Sequence, residues 1–334
     1  MKIIAKDKIK EAIELLAREA KVLVPKNIDG VSKFAPWNSE GTLDFEAVNT
    51  VLPPKDVLFP QTQKMYTYKT ANQDVTEMTV INESEKQVIF GIRPCDMQSI
   101  QCLDEVFLTK TFVDEFYKSK RDKLITVCIG CVKTAPTCFC DSMGGSPSHN
   151  DAADVMLADL GNAYGVTAQT EAGNKLVDEW QGLVTEGSDQ KAQSADCTLK
   201  VDIVGLPQKL AKMFDSPLWK EFSEKCIACG TCTYFCPTCY CFDIDVQNSG
   251  NEGYRFRCWD SCMFSEYTRM AGGHNPRPSK VERLRNRFLH KLEYFTERYG
   301  KTLCVGCGRC LIKCPVNVDI TLFIDKVKEV VVDE

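Results

Sequence analysis

Apolar residues fall at helical spacing in the first stretch of the chain, where Ile9, Ile13 and Leu16 line one face of a helix expected over residues 7–18. From Val22 to about Pro60 that period breaks up among Pro, Gly and Asn. Short strands and irregular chain are expected there, with a turn at Val51-Leu52-Pro53-Pro54-Lys55. β-Branched residues then mark strands around 78–81 and 87–90. Val88-Ile89-Phe90-Gly91-Ile92 is apolar without alternation and runs into Arg93-Pro94-Cys95-Asp96. It reads as a buried strand, a tight turn and a helix over 97–107. A second strand at 123–128 leads into Ile129-Gly130-Cys131, and a strand pair at 153–169 turns at Gly161-Asn162. Residues 175–180 are expected to be helical, whereas 185–197 show no apolar period and read as a surface loop or the approach to a domain boundary. Further helices are expected over 206–214, around Trp219 and Phe222, and over 283–298, where Leu284, Phe288, Leu292 and Phe295 share a face.

This order predicts an α+β protein. A mixed α/β domain is expected over 1–200, followed by an α-helical, ferredoxin-like domain over 201–334. The length, 334 residues, suffices for two cores. The net charge of −5 does not suggest a nucleic-acid binder, and no apolar run approaches the roughly 18 residues of a membrane span. With no signal-like start, the expected location is the cytoplasm, in an anaerobe if oxygen-labile groups are present.

Nineteen cysteines change the picture. In a chain this long their clustering suggests metal ligands, not a secreted disulfide framework. Two runs answer each other: Cys226-x2-Cys229-x2-Cys232-x3-Cys236-Pro237 and Cys304-x2-Cys307-x2-Cys310-x3-Cys314-Pro315. The spacing matches that of bacterial two-cluster ferredoxins, in which three cysteines hold one cluster and the fourth reaches the other. It assigns Cys226, Cys229, Cys232 and Cys314 to one [4Fe-4S] cluster, and Cys304, Cys307, Cys310 and Cys236 to a second. Zinc would usually take cysteines in pairs.

Cys95, Cys131, Cys138 and Cys140 lie on loops after adjacent strands and are the best four for a third cluster. Reduced structural cysteines are the alternative reading. Cys128 sits within an apolar strand pattern and is assigned to the core, as are Cys102, on the helix after the Arg93–Asp96 turn, and the isolated Cys197. The insert between the runs is too long for a compact β-sheet ferredoxin and suggests the α-helical arrangement. It also holds Cys239, Cys241, Cys258 and Cys262, beyond the eight ligands needed. Of these, Cys239, Cys241 and Cys262 are candidate additional ligands, or else pack beside the clusters.

From His274 to Lys301 there are eight Lys/Arg against three Asp/Glu. Such a helix either offsets cluster charge, docks an acidic partner or presents a solvated face. His149, His274 and His290 have no ligand spacing among themselves. No GxGxxG follows a strand, and there is no phosphate-binding P-loop, Ser/His/Asp set or carboxylate pair. No catalytic residue is therefore assigned, and the expected role is electron conduction.

Several segments together resemble one family. They are Gly91-Ile92-Arg93-Pro94-Cys95-Asp96, Thr137-Cys138-Phe139-Cys140-Asp141-Ser142-Met143-Gly144, Cys236-Pro237-Thr238-Cys239-Tyr240-Cys241, Trp259-Asp260-Ser261-Cys262-Met263, Gly272-Gly273-His274-Asn275-Pro276-Arg277-Pro278 and Cys304-Val305-Gly306-Cys307-Gly308-Arg309-Cys310. The resemblance covers nearly the whole chain. It is to the iron–sulfur subunit shared by anaerobic sulfite reductase and by cytoplasmic sulfhydrogenase-type nickel–iron hydrogenases, where it is the beta subunit. It implies an electron carrier placed between a flavoprotein that binds FAD and NAD(P)H and a separate catalytic subunit of sulfite reductase, hydrogenase or heterodisulfide-reductase type. Neither nucleic acid nor membrane is implied as a partner. Cys128 and Cys258 fall outside the family pattern. Two other roles stay open: a flavin-binding oxidoreductase subunit with its own substrate site near Cys95 and Asp96, and a redox sensor.

Overall fold

The computed structural model describes residues 1–331 except 73, 83, 111, 188 and 189. Its N-terminal part is built on a nine-stranded sheet among the described residues. The order across it is Val184–Glu186, Lys2–Ala5, Ala163–Ala168, Val155–Asp159, Leu124–Ile129, Gln87–Ile92, Lys21–Ile28 and Val31–Pro36, with Thr42–Leu43 also paired to Lys21–Ile28. The four central strands are parallel, and those outside them antiparallel. The centre is therefore buried on both faces, which is why Val88, Ile89, Phe90 and Ile92 form an unbroken apolar run. The first helix, Ile9–Leu16, and Glu171–Glu179 cover one face, with Phe90 and Trp180 in the core beneath. Pro94–Leu108 covers the other face through Met97, Ile100 and Leu103.

The strand at 87–92 delivers the Arg-Pro-Cys-Asp turn. Gly91 has φ +87, and a Cβ there would lie 2.8 Å from the Phe45 ring and 3.1 Å from Pro25, so the bulge before the turn requires glycine. Pro94 then opens the helix at its first turn, where its missing N–H costs nothing.

The insert departs from the all-helical expectation. Phe242–Ser249 and Glu252–Trp259 form a β-hairpin in full antiparallel register. Its second strand pairs with Thr62–Ala71, which pairs with Asp74–Val80, so residues from both sides of position 200 share a four-stranded sheet. The remaining C-terminal chain is helical: Leu206–Ala211, Leu218–Ser223, Lys280–Leu289 continuing through a π-helical turn at His290–Tyr294 into Phe295–Tyr299, and Ile320–Glu329. Trp219, Leu284, Phe288, Leu292 and Phe323 fill its core. Ser279 and Glu282 form a reciprocal capping box at the start of the long helix.

Candidate metal centre

Each cysteine run is a loop followed by a short helix, Thr231–Tyr234 in the first and Arg309–Lys313 in the second, and these two helices pack on each other. That packing brings each run's last cysteine toward the other run. Cys226, Cys229, Cys232 and Cys314 line one small cavity with Met263, Val318 and Arg287. Cys236 in turn lies in electrostatic contact with Cys304, Cys307 and Cys310. All the cysteines are free thiols. Among the described residues no three His, Cys, Asp or Glu side chains close to the separation a single metal ion needs. The first quartet surrounds a small cavity, and four thiols around a cavity fit the donor set of an iron–sulfur cluster.

The second run lies directly on the N-terminal domain. Gly306 and Gly308 have φ +63 and +72, and added Cβ atoms would meet Phe139 backbone at 2.5 Å and Thr137 backbone at 2.3 Å. Phe139 N–H donates to Gly306 O at 2.8 Å. These glycines let the Cys304–Cys310 loop pack against the Thr137–Cys140 loop. Asn49 bridges the same junction: its Nδ2 donates to Cys307 O at 2.8 Å and lies 3.9 Å from Cys138 Sγ, while Cys95 Sγ lies 3.8 Å from its Oδ1.

The N-terminal thiols do gather, but as five, not four. Cys131, Cys138 and Cys140 lie close to Cys197, which is 3.7 Å from Cys140 Sγ. Cys197 lies far along the sequence, in a loop tied down by its own N–H to Asp141 Oδ2 at 3.2 Å and by Val201 N–H to Ser142 Oγ at 3.1 Å. Its assignment to the apolar core therefore understates its position. Cys95 is buried between this group and Cys307, beside the Asp96–Arg309 pair. Cys128 lies within its strand and Cys102 on the helix behind, both buried.

Three cations point into the metal region, all nearly fully buried: Lys55, Arg287 and Lys291. Lys291 Nζ donates to Cys236 Sγ at 3.2 Å and to Thr238 Oγ1 at 3.1 Å. Burial lowers its pKa, but negative charge at Cys236, with Cys239 beside it, outweighs this and holds it well above its usual value. Arg287 lies between the runs, in contact with Cys232 and Cys310, and its Nε has no hydrogen-bond partner. Among the described residues none of the three forms an ion pair with a carboxylate, although Asp56 acts on Lys55 from the next position in the chain. An uncompensated buried charge costs several kcal/mol, so this trio requires an anionic group beside it. Arg283, Arg287 and Lys291 recur every fourth residue and are all buried, so this face of the basic helix points inward and not to solvent.

Burial raises the Cys232 thiol to about 11 and the Cys304 thiol to about 12. Cys236 is the opposite case: a hydrogen bond from Cys239, aided by Lys291, holds it well below its usual value. His290 is half-buried against Tyr240, with Nε2 2.9 Å from the hydroxyl, and desolvation lowers it to about 4.

This arrangement defines an iron–sulfur protein of the dicluster type, in which a helical two-run domain is seated on an α/β domain. The chain matches the 4Fe-4S dicluster domain family over residues 225–318. It is 32% identical over 331 residues, 96% of both chains, to sulfhydrogenase 2 subunit beta of Pyrococcus furiosus. The chain therefore belongs to the sulfhydrogenase beta-subunit family of iron–sulfur subunits. No solved structure matches it. No helix among the described residues is long and apolar enough to cross a membrane.

Proposed function

We propose that this chain relays single electrons within a multisubunit oxidoreductase, between a flavoprotein that binds FAD and NAD(P)H and a catalytic subunit. The observation that carries the reading is an unbroken succession of thiol groups from surface to interior. Cys229 is exposed, Cys232 meets Cys310 beside Arg287, and Cys307 meets Cys95, with Asn49 leading on to Cys138. The first set would be Cys226, Cys229, Cys232 and Cys314, and the second Cys304, Cys307, Cys310 and Cys236. A third would use Cys131, Cys138 and Cys140, with Cys95 or Cys197 as the fourth thiol. When bound, [4Fe-4S] clusters supply one-electron carriers at these positions.

The protein's own part is electrostatic and steric. Lys291 and Arg287 offset negative charge at the thiolates, and Met263 and Val318 provide apolar lining on the inner side of the first set. The name of the Pyrococcus relative favours a hydrogenase-type catalytic partner. A flavin or substrate site at Cys95 and Asp96 is disfavoured, because both side chains are buried under the second run and Asp96 is paired to Arg309. The domain limits, 1–200 and 201–334, are proposed as a functional division, and the hairpin sheet crosses them.

The test is a stepwise anaerobic reduction of the purified chain, followed by bleaching of its visible absorption. Uptake of several single electrons per chain, without bound flavin, is expected. A flavin spectrum that titrates in two-electron steps would overturn the reading.

A further inference from the structure

Three thiols remain outside these sets: Cys239, Cys241 and Cys262. The hairpin explains why they meet. Pairing of Phe242 with Trp259 closes its base, and the ladder continues one step further through Asp260 N–H to Cys241 O at 2.9 Å. The Cys239–Cys241 loop and the Ser261–Cys262 loop therefore leave the sheet side by side. Cys241 lies in electrostatic contact with Cys262 and Tyr267, and Cys262 in turn with Cys239.

A second observation comes from the other domain. Lys55, on the Pro54–Val57 turn, has 3% exposure. Its Nζ donates to Cys239 O at 2.8 Å and stands 4.0 Å over the Trp259 ring. Burial lowers its pKa, while Cys239, Cys236, Cys241 and the neighbouring Asp56 carboxylate favour its charged form. Its Nζ reaches only the Cys239 carbonyl and the Trp259 ring, so a buried ammonium here favours negative charge at the adjoining thiols.

We propose that Cys239, Cys241 and Cys262 hold a further iron–sulfur centre, with Lys55 as its counter-charge. Binding displaces the thiol protons to solvent, and the three thiolates with Lys55 then form a compensated buried group. Among the described residues no three such side chains close around a single ion, so a cluster is proposed in place of a lone zinc. This proposal rests on the chain being iron–sulfur loaded, and the controls separate the two.

The experiment measures iron and acid-labile sulfide in the full chain, purified without oxygen, alongside the Cys239→Ser, Cys262→Ser, Cys258→Ser and Cys229→Ser variants. The untouched protein should hold more than the roughly twelve irons that three [4Fe-4S] clusters supply. Cys239→Ser and Cys262→Ser should each lose about three to four irons per chain. Their EPR signals from the two ferredoxin runs should remain, and Cys258→Ser should lose nothing. Unchanged iron in Cys239→Ser and Cys262→Ser, with iron lost from Cys229→Ser, overturns the further centre alone. Iron unchanged in Cys229→Ser as well overturns the electron-transfer reading itself. If these variants fail to fold, the Cys131→Ser variant decides, because it lacks the N-terminal set: roughly eight irons or fewer in it exclude the further centre, and roughly twelve support it.

Discussion

Asp96 and Arg309 lie 213 residues apart in sequence and form a two-pronged ion pair at 2.5 and 2.8 Å, with both side chains almost wholly buried. Asp96 opens the helix after the Arg-Pro-Cys-Asp turn, and Arg309 belongs to the second cysteine run. Arg309 Nε also donates to Thr50 O at 2.8 Å, so one guanidinium ties the run to two N-terminal segments. The pair fixes Cys307 beside Cys95. It is the point where the two parts of the chain are locked in register.

Removing one partner leaves the other charge buried. Asp96→Ala is expected to cost about 3–5 kcal/mol of stability, measured by anaerobic denaturant unfolding. Replacing both residues with apolar ones should cost much less, because no orphaned charge remains.

Lys291 contributes a positive charge within hydrogen-bonding distance of Cys236. Positive charge favours the reduced, more negative state of a neighbouring cluster. Lys291→Met should therefore lower the midpoint potential, on the order of 100 mV for an effective dielectric of about 20. Redox titration followed by EPR would measure the shift. Iron content should stay constant, since Lys291 is not a ligand.

In the N-terminal thiol group, Cys131→Ser and Cys138→Ser should each remove about four irons per chain, while Cys128→Ser removes none. Comparing Cys95→Ser with Cys197→Ser identifies the fourth thiol, because only the ligand's loss lowers the iron count.

The strap that carries Cys197 responds to acid. Burial works to raise Asp141, but Lys200 and the Cys197 N–H outweigh it and hold its carboxyl below the usual range. A lowered folded-state value means that this contribution is present above the unfolded value, about pH 4, and is lost as pH falls below it. Asp141→Asn should mimic acid at neutral pH. Faster amide exchange over 196–201 is the expected readout.

Much of this was legible in the residues. The helix at Ile9–Leu16, the strand–turn–helix at Arg93 and the helix carrying Leu284, Phe288 and Leu292 follow from apolar spacing alone. The hairpin at 242–259 has its own signal, with Phe242, Ile244 and Val246 alternating toward Asn248-Ser249-Gly250-Asn251, but the cysteines on either side outweigh it and favour helices. Cys197 and Lys55 carry no local signal. Each reaches the thiols only through tertiary contacts, Cys197 through Asp141 and Lys55 through the packing of the N-terminal domain against the hairpin. The inward face of the basic helix is an intermediate case. Its four-residue spacing is visible in the sequence, but which way it faces depends on thiolates supplied by other segments.

The most direct test of the central claim is iron and acid-labile sulfide per chain on anaerobically purified protein, with EPR before and after reduction. The account predicts about twelve or more irons with matching sulfide, and signals of several interacting reduced clusters. Zinc in place of iron, or an absence of labile sulfide, would contradict it.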